Sequence, residues 1–314
     1  MKKQPLICVV GPTASGKTAL SIALAKQYRA EIVSADSMQI YQGLTVGTAK
    51  PTEEERQGIP HHMLDIVSPL EDYSVARYVS EAEAAICEIH SRGNLPIVVG
   101  GTGLYVDSLV RGATFAAQVQ DESFRAEMEA FAKENGNHAL HEKLKEVDPL
   151  QAERLHENDV KRVIRALEVY HTTGVCLSEH NRNTADLPPK YNLCQIGLTF
   201  QDRKILYDRI DRRVDQMLQQ GLLEELKEIQ QKGISREATA MQAIGYKELW
   251  DVPFGESLEI AADRLKQATR RYAKRQLTWF RRNPNIHWIE VDLAENFDAL
   301  LRESTDFIQK CGII

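Results

Sequence analysis

"VVGPTASGKT", residues 9–18, decides the fold. Gly11, Gly16, Lys17 and Thr18 stand at Gly-x-x-x-x-Gly-Lys-Thr spacing, directly after an apolar run. "TALSIALAKQY" (18–28) follows, with Leu20, Ala23, Leu24 and Tyr28 at helical spacing and Ser21 and Lys26 on another side. A strand, a glycine loop and a helix in that order form a phosphate cradle, because the loop's backbone N–H groups and the helix N-terminus converge on one polyanion. Gly11, Pro12, Thr13, Ala14, Ser15, Gly16, Lys17 and Thr18 are therefore assigned to phosphate binding, with Lys17 neutralising phosphate oxygens and the Thr18 hydroxyl offered to Mg²⁺.

Working outward, short β-branched runs alternate with helix-length segments, the pattern of a parallel sheet covered by helices. Strands are expected at Leu6–Val10, Glu31–Ser34, Met63–Ile66, Ile97–Val99, Cys194–Leu198 and His287–Val291. From Thr114 to Pro188 strand signals vanish and charged helical segments dominate, ending in the Asn- and Pro-rich "NRNTADLPPKYN" (181–192). The fold class is thus α/β: a P-loop NTPase-like parallel sheet core with helices on both faces, from residues 1–113 and 189–314, plus a helical insertion domain at 114–188. A chain of 314 residues with 43% hydrophobic content can bury such a core.

Composition narrows the function. The five cysteines are dispersed without a Cys-x-x-Cys pair, as expected of inert thiols in a reducing cytoplasm. The apolar stretch near the N-terminus is too short for a signal peptide and reads as the first strand, and no run is long enough to span a bilayer. A net charge of −6 argues against indiscriminate nucleic-acid coating but leaves room for a local basic surface.

Kinases and hydrolases with this cradle usually add an acid after a neighbouring strand. Here "PIVV" runs into Gly100, Gly101, Thr102 and Gly103, where glycines either admit a ligand's close approach or shape a turn. An acid does follow the second strand, Asp36 in "SADSMQ". In an open parallel sheet the carboxyl ends of strands share one crevice, so Asp36, Thr102 and Lys17 belong together. Asp36 is either a general base for a nucleophile meeting a phosphate ester or a helix N-cap. The His61–His62 doublet has no Cys or acid at ligand spacing, and no metal is expected there.

Seven stretches, "GPTASGKT", "SADSMQIYQGLTVGTAKP", "PHHMLDI", "GGTGLY", "NDVKRVIRALEVY", "AIGYKE" and "TRRYAKRQLTWFRR", resemble the tRNA dimethylallyltransferases in type and order, over nearly the whole chain. The resemblance implies transfer of a dimethylallyl group from dimethylallyl diphosphate to N6 of the adenosine 3′ of the anticodon, releasing pyrophosphate, by a monomeric cytoplasmic enzyme using Mg²⁺. It gives Lys17, Asp36 and Thr102 catalytic roles, Asp36 as the base. Ser37, Met38 and Gln39 would line the adenine, with Gln39 reading a base edge. Arg209 and Arg213, one turn apart in "LYDRIDRRVDQML", are the candidates to reach the pyrophosphate, whereas Arg212 suits a surface ion pair with Asp208.

Between Arg264 and Pro284 stand eight Lys or Arg and no acid, interleaved with Tyr272, Trp279 and Phe280. Alone this is a solvated helix face or an RNA-binding one. The resemblance makes Lys274, Arg275, Gln276 and Arg281 contacts to the tRNA anticodon arm, leaving Trp279 and Phe280 open to a core role. It adds Gln242, Ile244, Gly245, Tyr246 and Lys247, the strip Lys161, Arg162, Val163, Ile164 and Arg165, and Arg125, although "TFAAQVQ" (114–120) before Arg125 departs from the family's Pro-rich lead. From the residues alone, Val163 and Ile164 fall on a buried stripe, Arg165 is free to pair with Glu168, and Asn158 or Asp159 caps the helix. An adenylate isopentenyltransferase acting on AMP or ADP, a P-loop small-molecule kinase and a non-catalytic RNA scaffold are the rival readings.

Overall fold

The apolar runs pair into one parallel sheet of six strands in the order β3-β2-β4-β1-β5-β6. The computed structural model describes residues 3–112, 121–185 and 189–313. They fall into two compact units, Met1–Val110 with Lys190–Ile314, and Arg111–Pro189. The boundaries expected at Thr114 and Pro188, and the "TFAAQVQ" segment, lie outside the described residues.

In the first unit β1 (Gln4–Val10) leads through the cradle into α1 (Lys17–Tyr28), then come β2 (Ala30–Ser34), α2 (Glu53–Arg56), β3 (His61–His62), α3 (Val75–Ser91), β4 (Leu95–Gly100) and α4 (Gly103–Arg111). The second unit's described elements are all helical: α5 (Glu122–Asn135), α6 (Asn137–Val147), α7 (Pro149–Arg154), α8 (Val160–Thr173) and α9 (Leu177–Ala185). The first five residues of the expected Asn- and Pro-rich loop are thus the end of α9. The first unit resumes with β5 (Tyr191–Thr199), α10 (Arg203–Gln219), α11 (Leu222–Gln231), α12 (Tyr246–Leu249), α13 (Leu258–Phe280), β6 (His287–Glu290) and α14 (Phe297–Lys310).

Alternation along the strands builds two faces. Ile7, Val9, Ile32, Ile97, Ile196 and Leu198 pack with Leu20 and Leu24 of α1 and Leu300 and Ile308 of α14. The intervening Leu6, Cys8, Val10 and Val98 are equally buried and point to the opposite face, where α3 packs on β2 and β4. Ser21 of α1 is buried, borders the inner cavity described below and donates its hydroxyl to the Thr18 carbonyl, so it does not share an exposed side with Lys26.

Met63–Ile66 is not a strand. Met63 and Asp65 sit at φ 64° and 54°, left-handed positions that break a ladder, and the pairing moves back to His61 and His62. Register matters more for function: Val10 faces Gly100 across β1/β4 and Ser34 faces Val99 across β2/β4. The carboxyl ends of three adjacent strands are therefore level, and the residues that follow each one emerge side by side.

Candidate active site

The first of those three exits is the cradle. Gly11 turns at φ 143° with a Cβ position only 2.6 Å from the Leu198 carbonyl oxygen, so no side chain fits between β1 and β5. Gly16 turns again at φ 93°, and α1 starts with no side-chain cap on its first N–H groups. An uncapped helix start presents partial positive charge to an anion. Ser15 is fully buried in the loop and its hydroxyl has no hydrogen-bond partner among the described residues, while Lys17 Nζ donates to the Pro12 carbonyl at 2.6 Å. Burial, reinforced by Arg213 and opposed by Asp36, pulls the Lys17 pKa down to about 7.

The second and third exits are tied together. After β2, one oxygen of Asp36 accepts from the Met38 N–H at 2.9 Å and the Gln39 N–H at 3.4 Å. This is the capping role anticipated as an alternative to catalysis, but it closes a turn rather than starting a helix, and among the described residues it leaves the second oxygen without a hydrogen bond. After β4, the Thr102 hydroxyl accepts from the Ser37 N–H at 3.0 Å and lies 3.3 Å from the Ser37 hydroxyl. Asp36 and Thr102 are thus held in one construction.

Each of the glycines around Thr102 makes room for protein, and Gly100 and Gly101 also border the inner cavity. A Cβ on Gly100 would lie 2.1 Å from the Ala35 carbonyl oxygen, one on Gly101 2.0 Å from Gln276 Nε2, and one on Gly103 2.2 Å from the Trp279 ring. Helix α13 is the partner at Gly101 and Gly103. Its Gln276 donates to the Gly101 carbonyl at 3.0 Å and accepts from the Thr13 N–H at 2.9 Å, stapling the cradle to the β4 exit. Trp279 donates to Asp107 at 2.9 Å, and Phe280 is buried, so both are packing residues here.

Two ion pairs fix α13 against α10: Arg270 with Asp211 at 2.5 Å and Lys266 with Asp215 at 2.6 Å. On α10 the same spacing turns Arg209 and Arg213 toward the cradle. Arg209 Nε donates to the Ala14 carbonyl at 2.9 Å, shaping the loop. Arg213 borders both the cleft outside the cradle and the inner cavity, and burial lowers its pKa against the pull of Asp36. Arg212 bonds the Asp208 backbone carbonyl at 3.2 Å instead of the Asp208 carboxylate.

The inner cavity has a volume of about 280 Å³ and is bordered by Lys17, Thr18, Asp36, Ser37, Met38, Gln39, Gly101, Arg213, Gln242, Ile244, Lys247, Tyr272, Arg275 and Gln276. The cleft outside, about 1090 Å³, is bordered by Ala14–Thr18, Arg209, Arg212 and Arg213. Several expected contacts are otherwise employed. Gln39 cannot offer a free amide, because its Nε2 donates to the Thr48 and Ala49 carbonyls at 3.1 and 3.2 Å and its Oε1 accepts from Ser34. Tyr246 is 0% exposed, its hydroxyl donating to Glu225 at 2.6 Å, and Gly245 turns beside it at φ 116°. Gln276 is buried in its staple, which removes it from the exposed basic face.

That face divides in two. Arg264, Lys266 and Arg270 are neutralised by Glu256, Asp215 and Asp211, whereas Arg271, Lys274, Arg275, Arg281 and Arg282 have no acidic partner among the described residues. In the second unit, Val163 and Ile164 are 0% and 3% exposed within its core, so their side chains are not surface contacts. Lys161 and Arg162 are exposed. Arg125 and Arg165 both bind Glu168, a 0% exposed carboxylate, at 2.8 and 2.6 Å. Asp159 occupies the α8 cap position without a side-chain cap bond and lies 3.6 Å from Arg162.

Three participants were not assigned to the cavity from sequence. Tyr272 reaches the cavity from far along the chain. Glu225 accepts from the N–H groups of Thr45, Val46 and Gly47 at 2.8–3.0 Å, fixing the loop that forms one cavity wall. His61 borders the cavity with Nδ1 bound to the Ile59 carbonyl at 2.8 Å, while His62 turns to Glu31 at 2.7 Å, so the doublet faces two ways.

Residues 39–283 match the family described as IPP transferase. A tRNA dimethylallyltransferase of Acetivibrio thermocellus is 48% identical over 309 residues, which cover 98% of each chain. Among solved structures, the full-length tRNA isopentenylpyrophosphate transferase of Bacillus halodurans is 47% identical with a TM-score of 0.74, covering 98% of this chain and 97% of that one. A eukaryotic dimethylallyltransferase, captured acting on tRNA, is 32% identical with a TM-score of 0.84, covering 98% and 80%.

Proposed function

The chain belongs to the IPP transferase family, and from that premise we propose that it moves a dimethylallyl group from dimethylallyl diphosphate to N6 of the adenosine 3′ of the anticodon in tRNA, releasing pyrophosphate. The observation carrying this reading is the sharing of one cavity by a cradle for a polyanion and the carboxylate of Asp36.

The chemistry follows from charge. When the allylic C–O bond breaks, negative charge builds on the departing pyrophosphate, and fixed positive groups facing it lower the barrier. The cradle N–H groups, Lys17, the Ser15 hydroxyl and Arg213 supply them, and Arg213 is the arginine assigned to the pyrophosphate because it borders the inner cavity. An N6 amine loses a proton as its new C–N bond forms, and Asp36 takes it through the oxygen its turn leaves open. Thr102 and Ser37 position the base beside it.

Thr18 is the residue assigned to Mg²⁺; among the described residues no group of three or more His, Cys, Asp or Glu could hold a metal by itself. Diphosphate oxygens and water would complete the coordination, and the bound ion would share in neutralising the leaving group.

A base in a cavity this size must leave its stack to enter. The unneutralised cations Lys274 and Arg275 of α13 and Arg281 at its end, together with Lys161, Arg162, Arg125 and Arg165 of the second unit, are assigned to the anticodon arm. No helix among the described residues is long and apolar enough to cross a membrane, which accords with a soluble RNA substrate.

Labelled dimethylallyl diphosphate is incubated with unmodified tRNA or AMP, and the nucleosides are analysed. Label at N6 in tRNA is expected, and Asp36→Ala lowers kcat by about 10²–10⁴-fold while donor and tRNA still bind. Label on AMP alone identifies a nucleotide prenyltransferase, and ATP consumption without alkylation identifies a kinase.

A further inference from the structure

Glu225 of α11 anchors a hydrogen-bond network that ends at the proposed base. Its Oε2 accepts from the Thr45 and Val46 N–H groups at 2.9 and 2.8 Å, and its Oε1 accepts from the Gly47 N–H at 3.0 Å and the Tyr246 hydroxyl at 2.6 Å. A carboxylate has about four lone-pair sites and no donor, so this one is fully occupied. Tyr246 is seated by Gly47, where a Cβ would come within 2.6 Å of the phenol ring. One side chain thus joins two walls of the inner cavity, the one carrying Gly47, Thr48 and Ala49 and the one carrying Ile244 and Lys247.

The first wall reaches the base. Its loop is cross-tied by the Ala49 N–H to the Val46 carbonyl and the Lys50 N–H to the Thr45 carbonyl, each at 3.0 Å, so its N–H end and its carbonyl end move together. At the carbonyl end, Thr48 and Ala49 accept from Gln39 Nε2 at 3.1 and 3.2 Å. The Gln39 N–H in turn donates to Asp36 at 3.4 Å, beside the Met38 N–H at 2.9 Å. Every link from Glu225 to Asp36 is therefore a hydrogen bond or the short loop itself, and releasing the loop at one end loosens the turn at the other.

We propose that Glu225 is a positioning residue for prenyl transfer: acting through the loop at 45–49 and Gln39, it sets the turn from which Asp36 meets the acceptor amine. This rests on the transferase activity proposed above. An amide cannot replace the carboxylate, because whichever way it is turned its NH₂ faces at least one backbone N–H. Glu225→Gln should therefore free part of the loop while leaving the phosphate cradle and the basic surfaces intact, so the cost falls on turnover.

Glu225→Gln, Gln39→Leu, their double variant and Tyr246→Phe are compared with wild type using labelled dimethylallyl diphosphate and unmodified tRNA. Glu225→Gln should lower kcat about tenfold with KM for each substrate within about threefold. Gln39→Leu should lose about as much, and adding Glu225→Gln to it should cost less than about twofold more, because a residue acting through Gln39 has nothing left to set. Tyr246→Phe keeps all three N–H bonds to the carboxylate and should lower kcat about threefold, a loss that should vanish in the Gln39→Leu background. Wild-type kcat in Glu225→Gln, a change confined to KM, or an undiminished loss in the Gln39→Leu background overturns the inference. Should Glu225→Gln not fold, Tyr246→Phe carries the test: wild-type kcat there, or the same threefold loss in the Gln39→Leu background, overturns it. A wild-type enzyme that fails to alkylate tRNA overturns the activity and this inference with it, whereas an active wild type beside an equally fast Glu225→Gln overturns the inference alone.

Discussion

Gln276 and Gly101 are fitted to each other: the side-chain amide donates to the glycine's carbonyl at 3.0 Å and fills the space a Cβ would take. A methyl group at 101 meets only the movable end of a side chain, while one at 100 meets the Ala35 backbone, which cannot step aside. Gly101→Ala should therefore fold, losing about 1–2 kcal/mol as Gln276 gives up two hydrogen bonds. Thr13 is released with it, and pyrophosphate affinity should fall about tenfold. Gly100→Ala should lose more than about 3 kcal/mol and accumulate poorly. Thermal melts and pyrophosphate titration of the two variants check this, and equal stability would refute the packing account.

Local chemistry explains what was legible in the sequence. The cradle declares itself because Gly11 and Gly16, five residues apart, both adopt positive φ. Asp36 and Thr102 could be joined to it from strand order alone, since a parallel sheet brings its carboxyl ends to one side. The supports were hidden because they come from far along the chain: Gln276 is 263 residues from Thr13, and Glu225 is 178–180 from the loop it holds. Gln39 shows the converse error. A polar side chain next to the site reads as a substrate contact, but the half-buried backbone carbonyls at Thr48 and Ala49 take both N–H groups of its amide. Likewise eight cations on one segment look alike in sequence, and only the facing helix α10 shows which of them neutralise Asp211 and Asp215.

Lys17 makes donor binding pH-dependent. With its pKa near 7, it is largely neutral in the free site above that pH, and a bound diphosphate, favouring the charged form, raises the pKa. Binding above pH about 7 thus takes up a proton, and affinity must fall as pH rises. The ligand's own last ionisation acts equally on wild type and on Lys17→Arg, which is charged throughout, so the difference between them isolates the lysine. The gap in log Kd for pyrophosphate, wild type minus Lys17→Arg, should widen with a slope approaching one per unit between about pH 7.5 and 9 and flatten below about 7. Calorimetry in two buffers of different ionisation enthalpy counts the proton directly, and zero uptake at pH 8 by wild type would contradict the linkage.

Glu168 gives the second unit an acid-labile joint. Burial alone would raise its pKa, but bonds from Arg125, Arg165 and the Asp121 N–H outweigh that and hold the carboxyl below its usual 4.5. A depressed carboxylate contributes stability that is complete above its unfolded value and is lost as pH falls through the folded one. Glu168→Gln keeps the shape but not the charge, and should cost about 1–3 kcal/mol at pH 7, toward the lower end because both arginines are about one-third exposed and can rehydrate. Below pH about 4.5 the wild type should lose stability faster than the variant, so their denaturation midpoints converge. The same joint orients both arginines, so tRNA KM should rise in the variant while donor KM does not. A gap that stays constant from neutral to acid pH would show that the carboxylate's charge contributes nothing to the unit.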